Sequence, residues 1–255
     1  MVIVNDPSAK AGVCVLVIGI GNYPSLGAYG LTHLGSPAIS AVTFARWLHE
    51  ELNCPGKPLR YLDLLVSPDP GLSPAITDSM LGAVQQIEPG WRFESCRMAA
   101  LAAAVRNWAA QLDRTSGEVG MLYFCGHGVY VNGVTALLAE DFDAAQEDFP
   151  LSIDLTGLHA ATAKLAAHDD YFFADACRST PASLINTQIT ASSVLPRELG
   201  RVHEGDSPIY YATKLGANSY GARDQVSQFT PTHYCAPCAE QAQRGAWGQI
   251  GGTGK

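Results

Sequence analysis

VCVLVIGI, residues 13–20, is an unbroken apolar run rich in β-branched side chains. A strand with one wet face alternates apolar and polar residues. This run does not, so it predicts a strand buried on both faces, as in the interior of a parallel sheet. Parallel neighbours require crossover connections, and the sequence downstream supplies them. Residues 21–35 are rich in Gly and Pro and form a loop. Ser36-Pro37 reads as a helix N-cap and first helical position. Ile39, Val42, Ala45, Leu48 and Leu52 then recur at helical spacing, predicting a helix over 36–52. A second strand follows at 59–66.

Residues 67–94 hold Pro68, Pro70, Pro74 and Pro89 and read as loop with a short helix near 80–87. Met98, Leu101, Val105, Trp108 and Leu112 mark an amphipathic helix. Residues 119–125 predict the third strand. Asn132-Gly133 between apolar flanks signals a hairpin within 130–138. Leu155, Leu158 and Leu165 mark a further helix, and 171–174 and 209–212 the fourth and fifth strands. There is no internal repeat and no low-complexity segment. The order β-α-β-α-β-hairpin-α-β-loop-β predicts an α/β fold, a mostly parallel sheet with helices on both faces.

Composition narrows the function. The 255 residues suit one α/β domain, and 47% apolar against 16% charged residues gives a sizeable core. The net charge is −8, with no basic run, which argues against nucleic acid as a partner. Residues 1–10 carry no basic segment leading into an apolar one. Residues 13–20 are too short to span a bilayer and are interrupted by Gly19 and Gly21. No membrane association and no secretion are therefore expected. Seven cysteines, an odd number without regular spacing, fit a reducing compartment, so a cytoplasmic location is expected.

In parallel sheets the reactive groups gather beyond the carboxyl ends of the strands. Gly126-His127-Gly128 follows the third strand, and Asp175-Ala176-Cys177-Arg178-Ser179 follows the fourth. A neutral thiol is a weak nucleophile. A neighbouring histidine favours the thiolate and later protonates the leaving amine. Glycines flanking His127 allow close approach, and the N–H groups of Gly128 and Cys177 could face a developing oxyanion. A lone histidine after a strand is usually a surface or capping residue, and a lone cysteine a small hydrophobe. Two of them, one strand-helix unit apart and each ending an apolar strand, are much harder to ascribe to chance.

Other signals are weaker. Gly19-Ile20-Gly21 lacks the third glycine of a dinucleotide loop, with Pro24 in its place, and is rejected as a cofactor site. Cys125 shares a strand face with His127 but reads as a buried structural thiol. Cys235 and Cys238, with His233 nearby, form one pair without a second, weak evidence for zinc, and no metal site is expected.

YFCGHG (123–128) and FFADACRS (172–179) resemble the His and Cys motifs of caspases, metacaspases and their bacterial relatives. The separation of His127 from Cys177 matches the spacing of about 50 residues in caspases. VLVIGIGNYPSL (15–26), AVTFARWL (41–48), IYYATKLGANSYG (209–221) and SQFT (227–230) are similar to other parts of that family, so the resemblance covers most of 13–230. It implies a caspase-like three-layer sandwich over 13–230, preceded by an extension (1–12) and followed by an atypical tail (231–255), where Pro231 interrupts the helix usual there. It implies a thiol protease with a two-residue dyad. His127 is the acid/base, Cys177 the nucleophile that forms an acyl-enzyme, and Gly128 the oxyanion-hole amide. No cofactor takes part. Some metacaspases need calcium for activation, and no calcium site is assigned here.

Caspases cut after Asp, metacaspases after Arg or Lys, using acids of which one lies two residues before the cysteine. That residue is Asp175, which implies a basic preference. A plain loop-holding carboxylate is the competing reading. A second acid usual near the start of the first helix is replaced by Ser40, and Asp224 is the candidate for a second charge. The irregular stretch 178–207 carries Arg197 and Arg201 as candidate self-cleavage sites. The partner implied is a protein or peptide substrate; an activating partner is left unassigned. The alternative is a caspase-like adaptor without activity, which a thiol-reactive peptide probe would distinguish.

Overall fold

The computed structural model describes residues 1–8, 11–131, 133–143, 145, 151–167, 169–184, 189–196, 207–217 and 222–230. The strands are β1 (Val2–Asn5), β2 (Val13–Ile20), β3 (Leu59–Ser67), β4 (Val119–Cys125), β5 (Gly128–Val131), β6 (Val134–Leu138), β7 (Ser152–Asp154), β8 (Asp169–Asp175) and β9 (Ile209–Tyr211). The helices are α1 (Ser36–Glu50), α2 (Pro74–Gln85), α3 (Met98–Leu112) and α4 (Leu155–Thr162).

Six strands form one sheet in the order β1-β3-β2-β4-β8-β9, and β5-β6-β7 form a small second sheet. In the large sheet only β1 is antiparallel. Every residue of β2 and β4 is buried, and the side chains alternate between two cores. Val13, Val15 and Val17 pack with Ala41, Phe44 and Leu48 of α1 and with Met80 and Val84 of α2. Cys14, Leu16 and Ile18 pack with Leu101, Val105 and Trp108 of α3 and with Leu155 and Leu158 of α4. Helices thus supply both faces, which is why β2 reads as continuous apolar sequence. Fully burying each such Val, Leu or Phe contributes roughly 1.5–3 kcal/mol relative to exposure.

Several elements differ from the sequence expectation. Gly35 is the N-cap of α1, so Ser36 and Pro37 lie in its first turn, where a missing N–H costs nothing. The prolines of 67–94 hide a full helix. Ser73 caps α2 through a bond from the Ile76 N–H, and Pro74 is its first residue. The last expected apolar position of α4, Leu165, falls beyond its end, and Asp154 caps its start by accepting from Gly157 N at 2.7 Å. β1 and β7 were not anticipated. The hairpin stands where Asn132-Gly133 predicts it, with Gly133 at φ 85.

The amino ends of β2, β3 and β4 share a buried polar cluster. Arg60 Nε lies 2.9 Å from Glu118 Oε1, with both side chains closed to solvent. The guanidinium also reaches Gln111 and Cys14 Sγ, and Glu118 accepts from Gly12 N at 2.9 Å. Burial, followed by the Glu118 charge, pushes the Cys14 thiol up to about 12. Among the described residues, no helix is long and apolar enough to cross a membrane.

Candidate active site

Register builds the site. β4 pairs with β8 so that Cys125 stands opposite Asp175. His127 and Cys177 each lie two residues further on, so both emerge on the same rim of the sheet. The turn is tight: Gly126 N donates to Asp175 O at 3.2 Å. A Cβ on Gly126 would come within 2.5 Å of the Tyr23 hydroxyl, and one on Gly128 within 2.8 Å of the Cys177 carbonyl oxygen. The flanking glycines therefore leave room for Tyr23 and for the loop that carries Cys177.

His127 is gripped from three sides. Its backbone N–H donates to Tyr23 Oη at 2.8 Å, that hydroxyl donates onward to Leu138 O at 3.4 Å, and Leu138 N donates to His127 O at 3.0 Å. Tyr23 thus bridges one missing rung between β5 and β6, and its ring meets the imidazole edge-on at 4.7 Å. The imidazole Nε2 lies 2.8 Å from Thr32 O. A carbonyl only accepts, so Nε2 carries the hydrogen and Nδ1 is the basic nitrogen of the neutral ring. Burial lowers the His127 pKa below its ordinary 6.5, the Thr32 carbonyl opposes this in part, and nearby His33 adds to it. His33 is itself tied down, its Nδ1 accepting from Tyr23 N at 2.9 Å.

The same ladder orients Gly128. Because His127 and Leu138 occupy the bonded position, the next pair, Gly128 and Leu137, is of the non-bonded kind. The Gly128 N–H therefore points away from β6.

Cys177 is half-buried and lines a cavity of 890 Å³ with His127, Gly128, Asp175, Ser227 and Arg223. The loop that carries it is clamped. Arg178 N donates to Ala217 O at 3.0 Å, and Gly216 N donates back to Arg178 O at 2.9 Å. The Arg178 guanidinium sits 3.7 Å from the Tyr211 ring centre and 6.0 Å from that of Tyr130. Thr180 donates to the Tyr130 carbonyl.

Asp175 is 3% exposed, and Cys125 Sγ donates to its Oδ2 at 3.4 Å. Burial and then the Asp175 charge raise the Cys125 pKa well above the ordinary thiol value, so it remains a donor and not a nucleophile. Ser40, fully buried, accepts from Ser227 N at 2.8 Å. A hydroxyl that holds a wall of the cavity thus stands where a second acid was sought. Asp224 is not brought to the cavity. It is exposed and borders a separate groove with Ile39, Arg46 and Glu50, whereas its neighbour Arg223 lines the cavity. Arg197, Arg201, His233, Cys235 and Cys238 lie outside the described residues.

Sequence reasoning missed Tyr23, Thr32 and the pair Asp69–Arg223. Tyr23 lies inside a quoted motif, but nothing local assigns it to a histidine 104 positions away. Thr32 acts through its carbonyl, which no side-chain pattern encodes.

A family model of the caspase domain, peptidase family C14, matches residues 12–232. The chain is also similar to the uncharacterized protein y4kE of Sinorhizobium fredii, at 27% identity over 135 residues. That match covers 52% of this chain and 39% of the relative, so the chain spans well under half of that protein's length.

Proposed function

The chain belongs to the caspase-domain family of cysteine peptidases, and we propose that it is a metacaspase-like endopeptidase, built as the caspase-type three-layer sandwich, in which Cys177 and His127 form the dyad. The observation that carries this reading is the seating of His127. Its Nε2 is held by the Thr32 carbonyl, which leaves Nδ1 as the base in a cavity shared with Cys177. His127 accepts the thiol proton, and the Cys177 sulfur attacks the scissile carbonyl carbon. The oxygen that gains charge is received by the N–H groups of Gly128 and Cys177. Collapse breaks the C–N bond as His127 returns the proton to the departing amine. Water, deprotonated by His127, then releases the acid from the thioester. A lowered histidine pKa favours the neutral base at the start of each half-reaction.

Asp175 supplies the anionic charge of the specificity pocket and favours Arg or Lys before the cut bond. Arg197 and Arg201 are then candidate sites of self-processing, giving new chains that begin at Glu198 or Val202.

A thiol-reactive peptide probe ending in arginine tests the reading. Wild-type protein should label, Cys177→Ala should not, and peptide cleavage should fall by roughly 10,000-fold in Cys177→Ala and in His127→Ala. A folded wild-type protein that no such probe labels would instead be an adaptor.

A further inference from the structure

The cavity that holds Cys177 also presents a fixed cation. Arg223 lines it and is anchored on Asp69, with Nε 3.2 Å and Nη2 3.1 Å from Oδ2. The Asp69 side chain is 2% exposed, whereas that of Arg223 is 62% exposed. Asp69 Oδ1 is occupied by Gly71 N at 2.7 Å.

Two glycines cradle the arginine. A Cβ on Gly71 would fall 2.0 Å from Arg223 Nη2, and one on Gly35 would fall 1.9 Å from Arg223 O and 2.6 Å from its Cγ. The side chain is therefore seated, not a loose surface arm. Its carboxylate anchor is buried, so swinging the guanidinium away would leave an uncompensated charge, which is strongly unfavourable.

A guanidinium has five N–H donors. Two meet Asp69, and among the described residues the other three have no partner. At a distance the ion pair is neutral. At contact range it offers a planar fork of donors in the cavity that Cys177 also lines, the geometry that suits a carboxylate. The same cavity carries the Asp175 carboxylate, so its lining presents one carboxylate and one guanidinium.

Resting on the reading of Asp175 as the acceptor of a basic side chain, we propose that Arg223 is a specificity-determining residue that binds a substrate carboxylate flanking that basic residue. The preferred substrate is then a basic residue with an acidic neighbour, and Asp69 is the positioning residue for Arg223.

The test uses binding, measured by fluorescence anisotropy on Cys177→Ala so that turnover plays no part. Labelled peptides carry a central arginine, and each flanking position holds Glu, Gln or Lys in turn. At one position Glu should bind about tenfold tighter than Gln, with Lys weakest. Adding Asp69→Asn and Arg223→Gln together removes both charges without stranding either, and should bring the Glu-to-Gln ratio to about one. Arg223→Lys should keep only part of it, because an ammonium lacks the fork. The proposal is overturned if no position separates Glu from Gln, if the ratio survives the double substitution, or if no peptide binds. It is also overturned if the double substitution tightens binding of the neutral-flank peptide, since Arg223 would then be obstructing Asp175. Failure of the specificity reading appears elsewhere, as unchanged discrimination of a central Arg from Gln in Asp175→Asn. Failure of the peptidase reading shows only as a lack of cleavage by the native protein.

Discussion

The two ends of the parallel sheet bury the same kinds of side chain and put them to different ends. At the amino end, Cys14, Arg60 and Glu118 form a closed cluster in which each group answers another, and the thiol is pushed up to about 12. At the carboxyl end, Asp175 and His127 are 3% and 8% exposed, but they border a cavity of 890 Å³ and share it with a half-buried thiol. Residue type therefore does not decide reactivity. Burial without access makes a thiol inert, whereas partial burial beside an oriented imidazole makes one usable. At the carboxyl end β4 runs into the turn Gly126-His127-Gly128, which borders the cavity, while the amino end is sealed by Arg60 and Glu118.

Removing one partner of the closed cluster should have the largest effect on stability. Glu118→Ala leaves the Arg60 guanidinium buried without its carboxylate and should lower unfolding free energy by about 3–5 kcal/mol, as read by urea titration. Activity per folded molecule should hold, since the site is at the other end. A change in activity exceeding the loss of folded protein would break the contrast between the ends.

Asp175→Ala tests the same contrast from the open end. The barrier for cleavage after arginine should rise by roughly 2–5 kcal/mol, with a smaller shift in thermal midpoint. If the midpoint falls as far as it does in Glu118→Ala while the arginine preference persists, Asp175 is a structural acid like Glu118.

A third substitution sharpens the comparison through pH. Burial, and to a lesser degree Asp169, raise the Asp170 carboxyl from 3.8 to about 7, against an opposing bond from Thr162. The folded value lies above the unfolded one. The stability this group contributes is therefore complete below 3.8, declines as pH rises, and is lost above about 7. Asp170→Asn should change little at low pH and stabilise the protein by roughly 2–4 kcal/mol above pH 7. Denaturant midpoints across that range would check it, and a gain independent of pH would contradict it.

The smallest effect is expected at Cys125, the thiol that lies at the open end yet shares the fate of Cys14. Cys125→Ala should keep kcat/KM for an arginine peptide within about fivefold of wild type, a change of about 1 kcal/mol. A dead Cys125→Ala with an active Cys177→Ala would exchange the roles of the two cysteines.

The sequence by itself determined the large elements and pointed to two candidate positions. β2 and β4 are buried on both faces, and α3 has one buried stripe, so each carries a period that survives any tertiary detail. His127 and Cys177 were legible because each closes such a strand, and parallel strands deliver their ends to one rim. β1 and β7, of four and three residues, were not. α2 was legible only in part, as a short helix near 80–87, because Pro74 at its start was read as part of a proline-rich loop.

What only the tertiary structure decided are the contacts around the two candidate positions. The Thr32 carbonyl that selects the basic nitrogen of His127 lies 95 residues from it, and the Tyr23 hydroxyl beneath it 104 residues away. Asp69 meets Arg223 across 154 residues, and Arg223 lines the cavity while Asp224 borders a different groove. Each depends on where a backbone atom or a turn lands once the sheet has formed. Local sequence encodes hydrophobic period and turn chemistry. It does not encode the position of a distant carbonyl to within the few tenths of an ångström that separate a hydrogen bond from none.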